Sequence, residues 1–150
     1  MSADRYNLFF AVFPDRNSAV SIKTLAADRK KAIDLKGRLL AASRLHVSLL
    51  GLGSGYTDMP SEIIQKARLA GAQVNAAPFK TEFTRTESFN RKSANRYPFV
   101  LSGGARLDAL KTFREMLYVE AKKAGLGPVM SKSGFTPHVT LLYADRLAGD

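Results

Sequence analysis

The chain has 150 residues and no cysteine, which excludes disulfides, thiolate metal sites and a cysteine nucleophile. Its two histidines are too few for a zinc site built on imidazoles. The 23 Lys and Arg against 13 Asp and Glu give a net charge of +10, which points to an anionic partner. A composition of 45% hydrophobic and 24% charged residues fits a single soluble globular domain, residues 1–150, with room for two small lobes. The longest apolar runs, such as Leu8–Phe13, fall far short of the roughly 20 residues a membrane span requires. The N-terminus lacks the pattern of a signal peptide, so a cytoplasmic monomer is expected.

Tyr6 to Phe13 reads as a short buried strand, closed by Pro14-Asp15. Residues 16–33 carry Ala19, Ile22, Leu25, Ala26 and Ile33 at helical spacing, with Arg29, Lys30 and Lys31 near the end favoured by the dipole. Leu45 to Leu52 is a second strand, ended by Gly53-Ser54-Gly55, and a helix follows from Pro60 with Ile63, Ala67, Ala70 and Val74 on one side. Phe79 to Phe89 alternates, which predicts a strand with one wet face. A polar, basic loop at 90–96 leads to a strand over Tyr97–Ser102, stopped by Gly103-Gly104. Leu107, Leu110, Phe113, Leu117, Ala121 and Ala124 mark a third helix that Gly125 ends, and Pro137 to Tyr143 is the last strand.

The resulting order, β-α-β-α-β-β-α-β, contains a repeat. A strand, a helix and a strand reading His-Val-Ser-Leu are followed by an equivalent set reading His-Val-Thr-Leu. Phe10 precedes His46 by 36 residues and Phe99 precedes His138 by 39. An α+β fold of two similar lobes is expected, with one histidine in each.

Side chains two apart on a strand share a face, so His46 projects with Ser48 and His138 with Thr140, while Val47, Leu49, Val139 and Leu141 point into apolar packing. Imidazoles titrate near neutral pH, so one can accept a proton from an attacking oxygen while the other donates to a leaving oxygen. Hydroxyls beside them suit the charge that builds on a phosphoryl transition state. A lone histidine on a half-buried strand is more often structural. Here both histidines of the chain occupy the same context at matching points of a repeat, which favours catalysis.

The paired motifs resemble those of the 2H phosphoesterase superfamily, and in particular the bacterial and archaeal 2′-5′ RNA ligase family, whose members act as RNA 2′,3′-cyclic phosphodiesterases. Leu45-His46-Val47-Ser48-Leu49-Leu50-Gly51-Leu52-Gly53 is similar to the first family motif, and Phe135-Thr136-Pro137-His138-Val139-Thr140-Leu141 to the second. Pro98-Phe99-Val100-Leu101, with its glycines and helix, looks like the segment that precedes the second. The resemblance implies two pseudo-symmetric lobes around a central basic cleft and metal-independent opening of a terminal 2′,3′-cyclic phosphate to a 2′-phosphate, with no cofactor. It makes His46 the proton donor to the departing 3′ oxygen and His138 the acceptor that activates water, with Ser48 and Thr140 holding the phosphate. Phe135 and Tyr143 are further substrate-binding candidates, Phe135 either stacking on the terminal base or simply packing. Relatives also join RNA ends through a 2′-5′ bond by the reverse reaction. Ser48 stands where Thr is commoner, and Tyr143 where some relatives place an Arg, so that one phosphate contact is either missing or supplied elsewhere. The chain stops seven residues after Tyr143, the length of a compact or shortened relative.

Other features divide between function and surface. Lys80, Arg85, Arg91, Lys92 and Arg96, interleaved with Phe83, Phe89 and Tyr97, suit a single-stranded RNA backbone as well as a solvated hairpin. Arg38 and Arg44 either reach phosphate or serve only as surface residues. Asp15, Glu62 and Asp108 sit near helix starts, where capping accounts for them. Two alternatives to an RNA-end phosphodiesterase stay open: a phosphodiesterase for a small cyclic nucleotide, an ADP-ribose cyclic phosphate or a 2′-5′ oligonucleotide, and an RNA-binding module without turnover.

Overall fold

The computed structural model describes residues 5–90 and 96–148. Its elements are β1 (Phe9–Val12), α1 (Arg16–Ala32), β2 (Val47–Gly51), α2 (Ser61–Gln73), β3 (Arg85–Ser88), β4 (Tyr97–Ser102), α3 (Asp108–Lys123) and β5 (Val139–Ala144). Short 3-10 turns lie at Ala42–Arg44, Ala105–Leu107 and Gly127–Val129. This is the expected order of strands and helices in an α+β chain. No helix among the described residues is long and apolar enough to cross a membrane.

Local chemistry sets the helix ends. Asp15 caps α1, its carboxylate accepting from the Ser18 N–H at 2.7 Å, and this bond is the main reason its pKa lies below the ordinary value. At the other end Asp34 turns left-handed at φ 53°, and the Leu35 N–H returns to the Lys30 carbonyl at 3.1 Å. Arg146 joins that end by donating to the carbonyl oxygens of Ile33 and Asp34, placing a cation where the helix dipole is negative. Gly125, at φ 89°, terminates α3 in the same way, with the Leu126 N–H bonded to the Ala121 carbonyl.

The strand expected over Phe79–Phe89 is shorter, Arg85–Ser88, with the Thr84 and Phe89 N–H groups donating to the Ser102 and Pro98 carbonyls at its two ends. The chain passes between two compact units at Thr81/Glu82. Phe79, on the near side of that passage, packs on Phe113 of α3 with ring centroids 5.7 Å apart instead of extending the sheet. Arg91 and Lys92 of the basic loop lie outside the described residues.

The first unit comprises Met1–Ala11, Ser48–Thr81 and Arg106–Thr136. Its core gathers Leu50, Leu52, Ala70, Ala121, Leu126 and Met130, with Leu8, Phe10, Ile63 and Tyr118 against them. The apolar faces read from α2 and α3 are the ones buried here. The second unit comprises Val12–Val47, Glu82–Ala105 and Pro137–Asp150. It holds the antiparallel sheet β3-β4-β5, in which β4 is central and buried along Pro98–Ser102. The segment before β2 adds to the free side of β5. Leu39 bridges to Leu142, the Leu40 N–H donates to the Leu141 carbonyl at 2.9 Å, and Lys36 exchanges bonds with Asp145.

His46 and His138 both fall in the second unit, His46 just before the division that runs through β2 at Val47/Ser48.

Candidate active site

Each histidine stands immediately before its strand, His46 before β2 and His138 before β5, and each is partly exposed. The burial pattern that follows is the same in both. Val47 and Leu49 are buried around exposed Ser48, and Val139 and Leu141 are buried around partly exposed Thr140. The alternation read from the sequence therefore holds, with the hydroxyls on the wetter side.

Strand β5 contains an irregularity that simple alternation does not predict. Phe99 pairs with Leu142 and Val100 with Thr140, so Leu141 is an extra residue on β5. Such a bulge shifts the pleat by one place. Leu141 and Leu142 are both buried as a result, and Tyr143, three residues after Thr140, comes out on the Thr140 side. The register agrees, because Thr140 faces Val100 and Tyr143 faces Pro98, two residues apart on β4. Thr140 and Tyr143 thus share one face of the sheet, and His138 stands just before the strand. The same face carries Arg85 and Glu87 of β3, which pair with Ser102 and Val100.

Both imidazoles are held by neighbours of the second unit. The His46 Nδ1–H donates to the Arg44 carbonyl oxygen at 2.7 Å. A carbonyl only accepts, so Nδ1 carries the proton of this bond. The Phe13 ring lies 5.7 Å from the His46 ring at a 41° tilt, and the Phe89 ring meets His138 edge-on at 4.8 Å. The chain from Leu40 onward runs antiparallel to β5, so it heads toward the start of β5, where His138 stands.

Ser48 and Phe135 belong to the first unit. The Arg114 guanidinium covers one face of Phe135 at 5.6 Å, lies 5.2 Å from the Tyr118 ring, and donates from Nε to the Leu49 carbonyl at 3.2 Å. Packing is thus part of what Phe135 does. Arg44 acts through its backbone carbonyl, while its side chain is exposed, as is that of Arg38. Glu62 and Asp108 do not cap their helices; they lie in the first turns of α2 and α3 and pair with Lys66 and Lys111 on the same helices.

Sequence reading missed three supports of the site. Phe13 reads as a strand residue and Phe89 as part of the basic, aromatic segment, and nothing local ties either to a distant histidine. Arg114 has no mark in the sequence beyond its i, i+4 spacing to Tyr118. The third is a network on the face of Thr140. Ser102, buried to 2% exposure, donates from its hydroxyl to Glu87 Oε2, and Arg85 Nε donates to the same oxygen at 3.0 Å. The Ser102 bond is the first cause of a Glu87 pKa below the usual glutamate value, with Arg85 adding to it. Among the described residues, no group of three or more His, Asp or Glu is arranged to hold a metal ion.

The fold is that of the LigT type. The apo structure of Escherichia coli LigT superposes with a TM-score of 0.67 at 23% identity, over 99% of this chain and 77% of that one. The complex of E. coli LigT with 3′-AMP gives 0.56 at 21% identity, over 98% and 80%. A structure described as a phosphoesterase gives 0.55 at 24%, over 96% and 77%. None of the curated proteins matches the sequence. The family model of the 2′-5′ RNA ligase superfamily matches residues 11–149, and the chain belongs to that superfamily of 2H phosphoesterases. Membership supports an enzyme with a phosphoesterase or ligase role.

Proposed function

We propose that this protein opens the 2′,3′-cyclic phosphate at an RNA end to a 2′-phosphate, using His46 and His138 as a metal-independent acid/base pair. The reading is carried by one observation: both imidazoles sit in one compact unit, each followed two residues later by a hydroxyl on the wetter side of its strand.

His138 takes a proton from water as the water oxygen bonds to phosphorus. The bond from phosphorus to the 3′ oxygen breaks, and His46 gives its Nε2 proton to that oxygen. The 2′ ester is retained, and the two histidines end with exchanged protonation states that solvent resets. Ser48 and Thr140 bind the non-bridging oxygens, and Tyr143, on the Thr140 side of its sheet, adds a phenolic donor. With an RNA 5′-hydroxyl in place of water, the same step forms a 2′-5′ bond as the bond from phosphorus to the 3′ oxygen breaks.

A second reading, a small nucleotide as substrate, draws support from the 3′-AMP complex of E. coli LigT. One experiment covers both. An oligoribonucleotide with a 2′,3′-cyclic phosphate end and 2′,3′-cyclic AMP are incubated separately with the protein in chelator, and the products are identified. A 2′-phosphorylated RNA end is the expected product. Turnover of cyclic AMP alone would move the function to small nucleotides, and a 3′-phosphate product would contradict the assignment of the leaving oxygen.

A further inference from the structure

We infer that Arg85 is a phosphate-binding residue of this site, held ready by Glu87 as a positioning residue; the inference rests on the function proposed above. The register places it. Arg85 pairs with Ser102, and Leu101, the neighbour of Ser102, pairs with Val139, the neighbour of His138. Thr86 and Val139 are thus level across Leu101, His138 stands just before that last pair, and the neighbouring row on the face of Arg85 runs Glu87, Val100, Thr140. The hydroxyl proposed to hold the phosphate shares that face with one cation and one carboxylate.

The hydrogen bonds decide how that pair is used. Glu87 is anchored by the hydroxyl of Ser102, which is itself buried, so the carboxylate has little freedom to turn away. The same carboxylate oxygen receives Arg85 through Nε. A guanidinium gripped at Nε directs its two terminal Nη groups outward, the fork that matches two oxygens of a phosphate. The Arg85 side chain remains 57% exposed, so these groups are open to a ligand from solvent. A lysine at this position would lack both the Nε anchor and the fork. Glu87 would be a poor neighbour for an anionic substrate on its own. Tied to Arg85 and Ser102, it orients a cation instead.

The test measures Arg85→Ala, Arg85→Lys and Glu87→Gln beside His138→Ala, on the cyclic-phosphate RNA end and in direct titration with adenosine 2′-monophosphate. Loss of one charge-assisted phosphate contact predicts that Arg85→Ala raises KM and weakens adenosine 2′-monophosphate by about 10- to 100-fold. The positions of the pH–rate limbs stay unchanged. Arg85→Lys recovers part of the loss, and Glu87→Gln shows a smaller loss in KM with little change in kcat. Wild-type KM and wild-type nucleotide affinity in Arg85→Ala, with His138→Ala inactive, would overturn the role of Arg85 and leave the proposed function intact. Full activity in His138→Ala would overturn the proposed function itself. Where no turnover occurs at all, the titration decides, and equal or absent binding in wild type and Arg85→Ala overturns the inference.

Discussion

His46 and His138 are supported by different means, and the difference has consequences. His46 has its tautomer set by the Arg44 carbonyl, a backbone group that no side-chain substitution removes. His138 leans on Phe89, whose ring edge it meets at 4.8 Å. Phe89→Ala is therefore expected to lower kcat more than it raises KM, because the imidazole loses its fixed orientation while the phosphate contacts stay; a KM effect alone would contradict this. Glu87 yields a pH prediction of another kind. Its folded pKa is depressed below the ordinary 4.5, so its contribution to stability is complete above that value and is lost as pH falls through the folded value. Urea unfolding of wild type and Glu87→Gln should show a constant difference at neutral pH that shrinks below about pH 4.5. A difference that grows with acid would reverse the sign.

At the scale of elements, β5 and the segment that pairs with it decide what the site presents. Gly37 lies at φ 146°, and a Cβ there would run into the Tyr143 carbonyl and come within 2.8 Å of Leu142 Cδ1. Gly37→Ala is expected to destabilise the protein by about 1–3 kcal/mol, from backbone strain and from displacement of β5 next to Tyr143. Thermal unfolding checks the loss, and an unchanged midpoint would show that the segment yields freely. The strands and helices were legible in the sequence because their apolar spacing is local: the faces of α2 and α3 and the alternation around Ser48 and Thr140 needed no distant partner. The bulge at Leu141 was not legible, because Leu141-Leu142 reads as two core residues whichever way the register falls. Nor was the pairing of Lys36–Leu40 with β5, a contact between segments about a hundred residues apart.

On the scale of the whole molecule, a superfamily match over residues 11–149 and a net charge of +10 bear on the same substrate class. If RNA is bound through phosphates beyond the reacting one, its KM should rise steeply with salt, and three such contacts predict about a 20-fold rise between roughly 50 and 200 mM. 2′,3′-Cyclic AMP, which lacks those phosphates, should be far less sensitive. Equal salt dependence of the two would mean that the basic surface does not track the strand. The paired His and hydroxyl motifs, and with them the reaction class, were readable from sequence because the repeat states them twice. Arg85 was legible only as one of a basic cluster and Arg114 not at all, since both are distinguished from surface arginines only by what the fold puts beside them. The central claim, a single acid/base pair, is tested most directly by kcat/KM on the cyclic-phosphate RNA end for wild type, His46→Ala, His138→Ala and the double variant, in chelator. The account predicts that each single variant loses about 10²- to 10⁴-fold and that the double variant falls little further, because the two residues act as one unit. A single variant with near wild-type kcat/KM would contradict it.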